Sequence, residues 1–79
     1  MIQQSLSSEL LGVRNSVWVL SFRTDINEEP EVIGVYREVE HASDYVERNL
    51  VQEAFHKPHF SQWKMANGNL YEAEMFPVQ

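Results

Sequence analysis

From Ser16 to Arg23 the chain reads SVWVLSFR, with large apolar residues on both alternating faces. Trp18, Leu20 and Phe22 share one face; Val17, Val19 and Ser21 share the other. A period of two predicts a strand, and apolar residues on both sides place it centrally in a sheet. Thr24 to Pro30, TDINEEP, predicts an acidic loop too long for a two-residue turn. Glu31 to Tyr36, EVIGVY, predicts a second strand. Gly34 weakens its interior unless a group packs close to the backbone there, so an aromatic ring over Gly34 is expected, with the adjacent strand as its source.

From about Glu38 the period changes. Ala42, Tyr45, Val46, Asn49 and Leu50 recur at helical spacing, while Glu40, Asp44, Glu47 and Arg48 lie off that stripe. The pattern predicts a helix running to about Glu53–Phe55. His56, Lys57 and Pro58 end it, because proline disfavours helix in the residue before it.

The last quarter, SQWKM-ANG-NLYEAEMF, predicts a hairpin whose loop length is decided by burial. A two-residue Asn67-Gly68 turn would set Trp63 beside Glu72 and leave neither face apolar. A three-residue loop, Ala66-Asn67-Gly68 with Gly68 left-handed, shifts the register by one. Trp63 then faces Tyr71, with Met65, Ala73 and Met75 on the same side and Lys64, Glu72 and Glu74 on the other. Since a one-residue slip inverts every side chain, the three-residue loop is expected. The resulting order is β-β-α-β-β, an α+β two-layer sandwich: an antiparallel sheet of three to four strands with one main helix on one face. Residues 1–15 read as an N-terminal arm or short helix, with Ser7 or Ser8 as cap, Leu6, Leu10 and Leu11 to bury, and Gly12 as stop. Residues 16–79 form the single domain.

Size and charge narrow the function classes. A chain of 79 residues is one domain, and it buries only about 60% of its unfolded surface. It has no cysteine, which excludes disulfides and thiolate metal sites and fits a reducing cytoplasm. No apolar run approaches the roughly 20 residues of a membrane span. Twelve acidic against six basic residues give a net charge of −6, and the six basic residues are scattered singly. That argues against direct nucleic-acid binding through a basic patch.

VWVLSF, then EVIGVY, then Ala42 six positions after Tyr36, then LYEAEMF together resemble a family of short, uncharacterised proteins of bacteria and their phages. The resemblance covers roughly Ser16 to Phe76. It implies a strand, an acidic loop, an IGVY strand, an amphipathic helix and an acidic terminal strand, in a bacterial or prophage genome. The family usually places serines after the tyrosine as a helix cap; here Arg37 and Glu38 stand there. Glu38 suits a helix N-terminus electrostatically and caps it poorly. The resemblance carries over no catalytic residue.

Candidate chemistry is sparse. HKPHF places His56 and His59 three apart, and with His41 they could supply three imidazoles to zinc. Pro58 between them distorts the spacing, so a solvated loop is the plainer reading and no metal or other cofactor is expected. The acid pairs Glu28–Glu29, Glu38/Glu40 and Glu72/Glu74 would need burial to do acid–base work, and the pattern puts them in loops or on a solvent face. No serine has a nucleophile context and no glycine-rich phosphate loop is present. An acidic surface that mimics nucleic acid is an alternative to simple solubility.

One helix leaves one sheet face bare. Val17, Val19, Ile33 and Val35 would share it, and an exposed apolar patch marks an interface. The expected protein is therefore a non-enzymatic, cytoplasmic interaction module that binds a protein partner or itself, with a homodimer through this face as the leading form. The alternatives are a small metal-dependent or acid–base enzyme built on the histidines, a nucleic-acid-mimicking inhibitor, and an accessory structural subunit.

Overall fold

The computed structural model describes residues 16–78; the expected N-terminal arm lies outside them. In chain order the elements are β1 (Ser16–Arg23), β2 (Glu31–Tyr36), α1 (Val39–Val46), β3 (Val51–Lys57), β4 (Phe60–Met65) and β5 (Leu70–Pro77). The five strands form one antiparallel sheet in the order β2-β1-β5-β4-β3. Among the described residues the fold is thus α+β with one helix, and its sheet has five strands where three to four were expected.

The extra strand comes from the second half of the expected helix. Asn49 ends α1: its backbone N–H and side-chain Nδ2 both donate to the Val46 carbonyl, at 3.1 and 3.4 Å. Leu50, which the helical stripe would have buried, is 80% exposed. From Val51 the chain pairs with β4 through a two-residue turn at Pro58-His59. Without β3, the outer backbone groups of β4 would lack partners, and unpaired peptide groups are costly when shielded from water.

β1 lies between β2 and β5, as its two apolar faces require. Trp18 and Leu20 on β1, Trp63 and Met65 on β4, and Ala73 on β5 form the core with Ala42 and Val46 of α1. Each large side chain fully buried there contributes about 1.5–3 kcal/mol. Ala42 and Ala73 are fully buried, and small residues at those points let helix and sheet approach closely. The helix packs on β2, β1 and β5, on the side of Trp18 and Leu20. No side chain caps it at Glu38.

The final hairpin has the three-residue loop. Trp63 pairs with Tyr71, the Met65 N–H donates to the Asn69 carbonyl at 2.8 Å, and Gly68 has φ 95°. A ring does lie over Gly34, but it belongs to Tyr36 on the same strand: a Cβ on Gly34 would meet that ring at 2.8 Å. β2 is also irregular. Leu20 pairs with Gly34 and Ser21 with Val32, so the register passes over Ile33.

Candidate interaction surface

Among the described residues only one sheet face carries a helix, and the registers define what the other, helix-free face displays. Across the sheet, Val35, Val19, Glu74, Phe60 and Lys57 form one row, and Val32, Ser21, Glu72, Gln62 and Phe55 form the next. Val17 and Phe76 pair beyond the first row. Of the four residues expected here, Val17 and Val19 are half-buried and Val35 is 60% exposed. Ile33 sits in the bulge, 39% exposed, and Val32 takes the paired position opposite Ser21.

Phe60, Phe76 and Phe55 join the surface: Phe76 lies on β5 opposite Val17, in alternation with Glu74, whereas Phe60 and Phe55 come from the β3–β4 hairpin, which the pattern did not announce. A signal was available: Pro58 suits the first corner of a tight turn, so HKPHF can be read as a hairpin tip. Val19, Val32, Phe60 and Phe76 line a groove of about 220 Å³ together with Glu72 and Glu74.

The two carboxylates differ in their partners. Glu72 accepts from Arg23 Nη2 at 3.0 Å and from Gln62 Nε2 at 2.7 Å, with both ends of the ion pair largely shielded. Arg23 also donates to the Ile26 and Glu28 carbonyls, at 3.3 and 3.5 Å, which pins the acidic loop beside the sheet. Glu74 is exposed, stands between Val19 and Phe60, and has no ion-pair partner among the described residues.

The helix side carries the other polar cluster. His56 Nδ1 lies 2.9 Å from Ser61 Oγ, and its ring meets Trp63 edge-on at 5.7 Å. Trp63 Nε1 donates to Glu47 Oε2 at 3.4 Å, and Ser43 Oγ donates to the same oxygen at 2.8 Å. A serine bonded to an imidazole suggests nucleophilic catalysis, but Ser61 is 3% exposed and the carboxylate is turned to the indole. His41 lies on α1 and His59 in the β3–β4 turn, so the three histidines belong to three different elements. Among the described residues no group of three or more histidines and carboxylates is disposed to hold a metal ion. Tyr71, beneath Tyr45 and against Phe22, has its phenol pushed above its ordinary value, first by burial and then by Tyr45. No helix among the described residues is long and apolar enough to cross a membrane. Neither the sequence nor the fold shows a significant match to any protein-family model, curated protein or solved structure.

Proposed function

We propose that this protein is a non-enzymatic interaction module that binds a protein partner through the helix-free face of its sheet. The groove between Val19, Val32, Phe60 and Phe76, with the Glu74 carboxylate beside it and without an ion-pair partner among the described residues, carries the reading. Covering the valines and phenylalanines is favourable at roughly 25 cal/mol per Å² of apolar area. Covering Glu74 without a counter-charge costs several kcal/mol. The occupant that meets both demands is a protein surface with apolar side chains around a lysine or arginine. A second copy of this chain, the occupant the sequence suggests, seated groove to groove would bring one Glu74 carboxylate against another. The resemblance of VWVLSF and EVIGVY adds a bacterial or phage setting to the proposal.

Selection of random peptides on the immobilised protein tests it. The expected winners carry a cation within an apolar run, lose binding to folded Val35→Glu, and give way to acidic peptides on Glu74→Lys. Peptides that bind both variants as tightly as the parent would overturn the assignment of this face. So would enrichment of none, or sedimentation showing that Val35→Glu dissociates a dimer.

A further inference from the structure

Among the described residues β3 is an edge strand, paired on one side with β4. The two-residue turn makes Lys57 and Phe60 a hydrogen-bonded pair, so Lys57, Phe55 and Glu53 direct their peptide groups toward β4. Ala54 and His56 direct theirs outward, away from the sheet. The irregularity of this strand falls between Val51 and Glu53, which leaves Glu53–Lys57 in unbroken register. β2, the opposite edge, is interrupted in its middle at Ile33.

The side chains on the outer half of β3 are self-complementary. Glu53, Phe55 and Lys57 alternate onto the helix-free face, with Lys57 Nζ 5.5 Å from the centre of the Phe55 ring. Phe55 is 51% exposed. Neither Glu53 nor Lys57 forms an ion pair among the described residues, although Lys64 stands opposite Glu53. An antiparallel copy of the strand centred on Phe55 puts Glu53 against the Lys57 of the second chain, and Lys57 against its Glu53. Phe55 then meets Phe55. Ala54 and His56 exchange backbone hydrogen bonds across the same axis, and those are the residues whose groups point outward. Charge, aromatic contact and backbone direction therefore agree on one register. A register centred on Ala54 would set Glu53 against Phe55 and leave Lys57 without an acid.

We infer that β3 is a homodimerisation edge: two copies join β3 to β3 about Phe55, forming a ten-stranded antiparallel sheet held by two Glu53–Lys57 pairs. This stands whether or not the helix-free face binds a partner. In the dimer that face would be continuous and present two copies of the groove.

Sedimentation equilibrium on the full chain tests it, together with single cysteines, which the sequence makes unambiguous because it has none of its own. The apparent mass is expected to double as concentration rises into the micromolar range. Lys57→Glu should return it to the monomer mass, and the double exchange E53K/K57E should restore the dimer. Ala54→Pro should also give a folded monomer, since it removes an outward N–H and spares the bonds to β4. Under mild oxidation Phe55→Cys should cross-link two chains, because a non-hydrogen-bonded antiparallel pair brings its Cα atoms to about 4.5 Å, within disulfide reach. Ala54→Cys should not. A monomer at all concentrations overturns the inference, as does a dimer that survives Lys57→Glu and Ala54→Pro. A dimer lost with Val35→Glu and kept with Lys57→Glu assigns self-association to the face and also overturns it.

Discussion

The Ala66-Asn67-Gly68 loop fixes which side of β4 and β5 is buried, so a series at Gly68 probes the register directly. Its φ is 95°, and a Cβ added there meets nothing within 4 Å. Packing therefore drops out and backbone conformation alone sets the cost. Left-handed backbone costs a residue with a Cβ about 1–2 kcal/mol. Replacing glycine returns roughly 0.4–1 kcal/mol by restricting the unfolded chain. Gly68→Ala should therefore destabilise by about 1 kcal/mol. Gly68→Val, β-branched, should lie toward the top of the ~1–3 kcal/mol for sparsely populated backbone regions. Gly68→Asn should cost least, because asparagine tolerates positive φ. At roughly 0.05–0.15 kcal/mol per residue, a domain of this size has only about 4–12 kcal/mol in total. The differences are thus large in urea denaturation, where the midpoint should shift at constant slope. Equal stability of the alanine and valine variants with the parent, within about 0.5 kcal/mol, would refute the left-handed loop and the register built on it.

Variants at two further positions address the helix side. Glu47→Ala leaves the buried Trp63 indole N–H without its acceptor and should cost about 1–3 kcal/mol, toward the lower end given the 3.4 Å contact. Glu47→Gln, which keeps an oxygen there, should recover most of it in the same urea titration, and equal losses in both would remove Glu47 from the core's support. The raised Tyr71 pKa makes the folded state hold its proton more tightly than the unfolded state. Its contribution to stability should be fully present below about pH 10, the ordinary tyrosine value, and decline as pH rises through the folded value. Thermal melts of Tyr71→Phe compared with the parent should lose this alkaline decline; an unchanged profile would show that Tyr71 does not cause it.

β1 and the final hairpin were legible because their determinants are local. SVWVLSFR alternates with apolar residues on both faces, and only one loop length leaves Trp63 and Tyr71 on a common side. β3 was not legible. In VQEAFHK neither alternating face is uniformly apolar, and Val46, Asn49 and Leu50 prolong a helical stripe into it. What makes it a strand is pairing with FSQWKM, a contact invisible to any short window. The displayed surface inherited this blind spot. Val17, Val19 and Val35 follow from alternation in the first two strands, whereas Phe55 and Phe60 require the β3–β4 hairpin. Ile33 and Val32 exchanged roles through the bulge, and no periodicity announces a single skipped residue.

The bulge at Ile33 has a consequence for assembly. A sheet with two regular open borders can recruit copies at each, and such addition has no natural end. Here one border is kinked in mid-strand, which spoils the ladder a newcomer would need. The other border, once joined to its own twin about a two-fold axis, is used up. In the proposed dimer growth would then terminate at two chains, and straightening the kink by deleting Ile33 would open a second border to further copies.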